Sequence, residues 1–125
     1  MGKVNSFEEL NIWIESRSFN QKLYKISNNG LFDKDYDLKR QIRRASISVS
    51  SNIAEGFERN TDKEFIQFLY YAKGSAGEIR SQLFLSLDLN YIKKNDFDEL
   101  YKQIIEISRM ISGMIKYLKK SIKNK

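Results

Sequence analysis

Cysteine, histidine and proline are all missing from this chain, and each absence removes a class of function or of structure. Without cysteine there is no disulfide framework, no thiolate nucleophile and no sulfur ligand for zinc. Without histidine the commonest general base and metal ligand is gone as well. Carboxylates, lysine, arginine, tyrosine, serine and threonine are the chemical agents left, so no enzyme activity, metal or cofactor is expected. Without proline nothing breaks a helix from within, which suits long uninterrupted rods. No apolar run approaches the roughly 20 residues a bilayer crossing needs. Residues 1–11 also lack the apolar stretch of a secretory signal, so a cytoplasmic location with no membrane partner is expected. The opening MGKVNS fits the loose N-myristoylation pattern through Gly2 and Ser6, a pattern short enough to arise by chance.

What is present is enough chain for one domain, residues 1–125, able to remove roughly two-thirds of its unfolded surface from water. With 41% hydrophobic and 30% charged residues, the composition is that of a globular protein. The net charge of +6 is unevenly spread: residues 1–36 balance to zero, 37–60 carry +2, 61–94 carry +1 and 95–125 carry +3. Such a surplus points toward a polyanionic partner, although lysine is also a common route to solubility. Where the cations sit on the helices has to decide between those readings.

Apolar periodicity predicts four helices, over roughly residues 7–28, 37–58, 62–90 and 96–120. The last is the clearest, with Phe97, Leu100, Ile104, Ile107, Ile111, Met114 and Leu118 stepping by three and four and with Asp96 and Glu99 spaced as a capping box. The third opens on Thr61 and Glu64 at the same spacing and carries Phe65, Leu69, Ala72, Ala76, Ile79 and Leu83. Ile66, Phe68, Tyr70, Tyr71, Phe84, Leu85 and Leu87 leave little of its circumference polar, so another subunit is expected to cover part of it. The first opens on Ser6 and Glu9 and closes in SNNG, where Asn29 or Gly30 can take the left-handed conformation. A loop from Gly30 to about Asp37 leads to the second, built on Leu38, Ile42, Ala45, Val49, Ile53 and Phe57 and stopping near Gly56 to Asn60. The expected fold is all-α, an antiparallel up-and-down four-helix bundle.

Lys39, Arg40, Arg43 and Arg44 crowd the early turns of the second helix, where the helix dipole favours carboxylates. A phosphate ligand would relieve that placement, because arginine offers oxygen atoms a planar fork of donors. A carboxylate from a neighbouring helix would relieve it equally, and the sequence leaves both open. Lys119 and Lys120, in the tail KYLKKSIKNK, are weaker candidates, since basic residues suit a helix C-terminus for dipole reasons alone. In SSNIAEGFERN, Ser51 and Asn52 can bond across a helix junction, and Glu55 stands four residues before Arg59, the spacing of an ion pair. Glu55 with Asp62 or Glu78 is the one constellation that could hold a catalytic metal, a role that such common spacing hardly supports. In AKGSAG, Gly74 and Gly77 interrupt a helical pattern at a cost of about 1 kcal/mol each, which close approach of another backbone would explain. Trp13, Tyr70, Tyr71 and Tyr101 can stack on unpaired bases or fill core and subunit contacts.

The runs FEELNIWIESRSF, QIRRASISVSSNIAEGF and KEFIQFLYYAKGSAGEIRSQL together resemble the bacterial four-helix-bundle proteins known as 23S rRNA intervening-sequence proteins, from about Phe7 to Leu118. The resemblance implies an up-and-down bundle assembled as a ring-like homopentamer. Some relatives are encoded inside intervening sequences of large-subunit ribosomal RNA genes. Others are accessory proteins of diversity-generating retroelements, in which a basic barrel is thought to bind nucleic acid and a reverse transcriptase. The matching positions are Arg43, Arg44, Ser51, Asn52, Ile53, Ala54, Glu55 and Gly56, then Gly74, Ser75, Glu78 and Gln82. Where the family tends to read Ile-Pro-Ser-Asn, this chain reads Val49, Ser50, Ser51, Asn52, a change that restores a backbone N–H and favours a straighter second helix.

The expected function is a non-catalytic homo-oligomer that binds nucleic acid, RNA foremost, through repeated phosphate contacts from Arg43 and Arg44, then Lys39 and Arg40, then Lys119 and Lys120. Ser51, Asn52, Glu55, Gly56, Gly74, Ser75, Glu78 and Gln82 are expected to be structural or interface positions. The alternative is an assembly or protein-interaction scaffold with no nucleic-acid ligand.

Overall fold

Residues 4–124 are described by the computed structural model. Gly2 of the acylation pattern and Lys125 of the basic tail lie outside them. Among the described residues there are five α-helices: α1 (Asn11–Ser27), α2 (Gly30–Lys34), α3 (Tyr36–Phe57), α4 (Asp62–Asp88) and α5 (Lys94–Lys123). The four long ones form the predicted bundle, and none of the helices is long and apolar enough to cross a membrane.

Ser6 and Glu9 do begin an element, but it is a 3₁₀ turn over Phe7–Glu9 rather than the first long helix. The Glu9 carboxylate accepts from the backbone N–H groups of Asn5 at 2.9 Å and Ser6 at 3.0 Å. Leu10 is then extended, with φ −75° and ψ 126°, and α1 starts behind it. The break lets Phe7 fold onto Trp13, ring centroids 5.1 Å apart; in one continuous helix those side chains would point roughly 120° apart.

The expected loop after α1 contains α2, which brings Phe32 into the core. Gly30 takes the left-handed backbone at φ +54°, but as the first residue of α2 and not as the residue that closes α1, whose C-cap is Asn28; Asn29 is extended. Five residues are too few to register as periodicity, which is why α2 is illegible in the pattern.

The start of α3 is fixed by the Asp35 carboxylate, which accepts from Leu38 N–H at 3.1 Å. The start of α4 is fixed as predicted, Thr61 Oγ1 accepting from Glu64 N–H at 3.2 Å. Helix α4 closes two residues early, in a Schellman motif. Tyr91 N–H reaches Ser86 O at 2.9 Å, Asn90 N–H reaches Leu87 O at 3.0 Å, and Asn90 supplies the left-handed residue at φ 61°. The expected box of Asp96 and Glu99 does not start α5: the helix begins at Lys94 with no side-chain cap, so Asp96 sits inside the first turn, where the dipole still favours it.

Each long helix packs on two others, α1 on α3 and α5, and α4 on α3 and α5. Cross-helix bonds run in opposite order along neighbours: Asn20 reaches Ser50 while Arg43 reaches Ser27, and Ser75 reaches Ser48 while Gln82 reaches Gln41. Neighbours are therefore antiparallel. The fully buried stripe comprises Phe19 and Leu23 from α1, Ile42 and Ile53 from α3, Leu69, Ile79 and Leu83 from α4, and Leu100, Ile104, Ile107 and Ile111 from α5. The outward side of α4 keeps Tyr70, Tyr71, Phe84 and Leu85 exposed.

The glycines divide sharply. A Cβ on buried Gly56 would lie 2.7 Å from Phe68 Cβ and 2.9 Å from Phe65 Cδ1, so α3 and α4 approach as closely as they do only because that atom is absent. At Gly74 and Gly77 a Cβ would meet nothing within 4 Å, so within this chain no backbone uses the space that the sequence reading assigned them. Gly56→Ala is expected to cost about 1–3 kcal/mol through overpacking, and Gly74→Ala to leave stability unchanged or raise it by up to about 1 kcal/mol through helix propensity. Urea denaturation of both variants measures the pair.

Candidate nucleic-acid interface

The four cations at the start of α3 do not form one patch, because successive residues of a helix point about 100° apart. Lys39 turns toward α2, its ammonium 2.7 Å from Asp33 Oδ1 and its side chain only 18% exposed. The Lys39 hydrogen bond holds the Asp33 carboxyl below its ordinary value of 3.8, with the charges of Lys39, Arg43 and Lys34 adding to the effect against partial desolvation. The pair thus stabilises the fold above about pH 4 and loses its effect as acid carries the pH down through the lowered Asp33 value. Asp35 at the cap and Asp37 in the first turn complete the acidic set that the helix dipole favours. For Lys39, then, an acidic neighbour provides the relief left open by the sequence.

Arg43 turns toward α1. Its Nε–H donates to Ser27 Oγ at 2.8 Å, an Nη2–H donates to Tyr24 O at 3.1 Å, and its guanidinium lies 4.2 Å from the Tyr24 ring centroid. This corrects its place as a first-choice phosphate contact: it is half-buried and fastens the C-terminal end of α1 to α3.

Arg40 and Arg44 turn outward, one helical turn apart. Arg40 stands 3.5 Å from Asp37, but with 73% and 90% of the two side chains exposed this pair is weak. Among the described residues Arg44 has no ion-pair, hydrogen-bond or ring partner. Both line a shallow groove of about 330 Å³ with Asp37, Gln41 and, from α4, Glu78. Gln41, one of its lining residues, accepts from Gln82 of α4 at 3.5 Å.

The neighbouring positions form the seam between α3 and α4. Ser75 Oγ donates to Ser48 Oγ at 2.9 Å, and Asn52 donates to Ser48 O at 2.8 Å and Ser48 Oγ at 2.9 Å. Asn52, Ser75 and Gln82 thus make hydrogen bonds along the α3–α4 seam, and Gly56 lies packed within it. Ser51 is not part of the seam: it is exposed, with no hydrogen-bond partner among the described residues. Glu55 pairs with Arg59 at 3.5 Å, and Arg59 in turn lies 4.7 Å from the Phe68 ring centroid. Glu55 and Glu78 are far apart, roughly 15 Å along the bundle axis by helical rise, and no acidic cluster that could hold a metal occurs among the described residues.

A second seam was missed by sequence reasoning. Asn20 of α1 donates to Ser50 at 3.0 Å and accepts from Ser46, both on α3. Ser50 occupies the position where the resemblance leads one to expect proline, and α3 runs through it unbroken. The signal was present as serine at positions 46, 48 and 50, three polar residues inside an apolar run.

The remaining candidates lie elsewhere. Lys119 donates to Tyr70 Oη at 2.7 Å and Lys120 is exposed, but both are on α5, across the bundle from α3, and join no common surface with Arg40 and Arg44. Trp13 and Tyr101 are half-buried, Tyr101 stacking on Phe97 at 5.3 Å, while Tyr71 accepts from Gln67 at 2.8 Å.

Three comparisons bear on this arrangement. The family model described as 23S rRNA-intervening sequence protein matches residues 8–113. No curated protein matches the sequence. A crystal structure of a protein with unknown function from the S23 ribosomal protein family of Bacteroides thetaiotaomicron is similar over 84% of this chain and 98% of its own, at 25% identity and a TM-score of 0.77.

The different placement of two adjacent arginines has a measurable consequence. Arg43→Ala should cost about 1.5–3 kcal/mol, because it removes charge-assisted hydrogen bonds at a partly buried junction. Arg44→Ala should change stability by no more than about 0.5 kcal/mol. Denaturation midpoints of the two variants check both values.

Proposed function

This chain belongs to the 23S rRNA-intervening sequence protein family, and on that premise we propose that it is a non-catalytic, homo-oligomeric, cytoplasmic bundle that binds nucleic acid, RNA foremost, through phosphate contacts. The observation that carries this reading is Arg44, an exposed guanidinium without a partner among the described residues, aligned with the weakly held Arg40 on one face of α3. Phosphate oxygens suit such a pair because both exposed forks can offer two parallel donors, Arg40 by exchanging its weak pairing with Asp37. Asp37 and Glu78 keep the groove of a single protomer near electrical balance, so the attraction rests on the donor geometry of the two guanidinium groups rather than on net charge, and repetition adds further contacts of the same kind. A closed oligomer, the pentamer of the resemblance, would multiply the Arg40 and Arg44 faces around one particle. The exposed Tyr70, Tyr71, Phe84 and Leu85 on α4 supply apolar surface for that assembly.

The same apolar face favours a second reading, an assembly scaffold whose cations serve solubility alone. Salt dependence separates the two. In fluorescence-anisotropy titrations with RNA, the Arg40→Ala/Arg44→Ala variant should bind more weakly and its log–log salt slope should fall by roughly two for each protomer engaged. Asp37→Asn and Glu78→Gln should each tighten binding. Unchanged binding in the double variant discards the site, and normal oligomers with no salt-sensitive retention of any nucleic acid favour the scaffold.

A further inference from the structure

The two most exposed large hydrophobic side chains among the described residues, Tyr36 at 65% and Leu31 at 60%, line the same open concavity. It is a broad, open depression of about 520 Å³, also lined by Lys34, Arg40 and Tyr91 and by the acidic residues Asp35 and Asp37. Tyr91 is fixed there, its hydroxyl donating to Asp35 Oδ2 at 2.9 Å and its ring 5.7 Å from buried Phe32. Tyr36 is backed in its turn, since the Lys39 ammonium lies 5.3 Å from its ring centroid while being locked to Asp33 at 2.7 Å. An aromatic ring so supported and still mostly in water has its apolar surface held ready at low entropic cost.

Position along the helix ties this ring to the cations. Tyr36, Arg40 and Arg44 follow one another at four-residue steps, each a rise of roughly 6 Å on one face of α3. That step is comparable to one nucleotide of an extended strand. Arg40 belongs to both concavities, the one that holds Tyr36 and the one that holds Arg44.

We infer that the ligand of this face is single-stranded nucleic acid, with one unpaired base stacked on Tyr36 beside Leu31 and the adjoining phosphates on Arg40 and Arg44. The inference rests on the phosphate-binding reading above and deepens it. A duplex would satisfy the arginines, but its bases are stacked internally and cannot reach the ring. An unpaired base presents a π-face to the ring whatever its identity, so recognition is by strandedness rather than sequence.

The test uses the full chain and three probes of equal length: single-stranded DNA of mixed sequence, the same strand made abasic at every position, and the corresponding duplex. The wild type should bind the ordinary single strand more tightly than the abasic one by roughly 5- to 150-fold, the effect of stacking one base. Tyr36→Ala should bring the ordinary strand down to the abasic level and leave the abasic strand and the duplex unchanged. Tyr36→Phe should bind like the wild type, since the ring and not the hydroxyl makes the contact; circular dichroism of both variants should match the wild type. If Tyr36→Ala leaves the ratio of ordinary to abasic binding unchanged while Arg40→Ala/Arg44→Ala weakens all three probes, stacking is wrong and phosphate binding stands. If no probe is retained by the wild type, both fall together.

Discussion

The close approach of α3 and α4 at Gly56 is the constraint from which the rest of the surface follows. With no Cβ at that position, Phe65 and Phe68 press against the α3 backbone, and the two helices are pinned near the end where the chain turns. Their antiparallel register then brings Ser75 opposite Ser48 and Gln82 opposite Gln41. The polar bonds of the seam contribute less free energy than the core, because each replaces a bond to water. Their effect is on register, since a shifted pairing would leave buried hydroxyl and amide groups unsatisfied. The groove between Arg44 and Glu78 exists at the place that register puts it.

The same geometry divides the cations by what they face. Lys39 meets Asp33 and Arg43 meets Ser27 and the Tyr24 carbonyl, so both are used to hold α2 and α1 against α3. Arg40 and Arg44 face water, where an exposed carboxylate at 3.5 Å competes poorly with a phosphate that offers several oxygens. Half of a basic cluster is therefore engaged in helix packing and half faces water. Net charge alone does not distinguish the four.

The bundle itself was legible because a three-and-four spacing of apolar residues has few other solutions, and the Thr61 cap was legible because its bond is local. The break at Leu10 was not, since it depends on Phe7 reaching Trp13 rather than on any breaker residue. Gly56 and Gly74 looked alike in sequence, both being glycines inside helices; only the packing reveals that one meets two phenylalanines and the other open space. Arg43 and Arg44 are adjacent, and which of them faces α1 is set by the order in which the helices go round the bundle. Hydrophobic periodicity carries no record of that order. Tyr36 escaped notice because its value lies in exposure and in neighbours from α2 and the turn after α4.

The central claim is that Arg40 and Arg44 are available to an anion while Arg43 is committed to the fold, and guanidinium NMR tests it on the unaltered protein. Arginine Nε–H resonances would be followed during titration with single-stranded RNA at low salt. The Arg43 Nε–H should be protected from solvent exchange before RNA is added and should keep its shift throughout, while those of Arg40 and Arg44 move and become protected together. Movement of Arg43 with Arg40 and Arg44 silent would contradict the account.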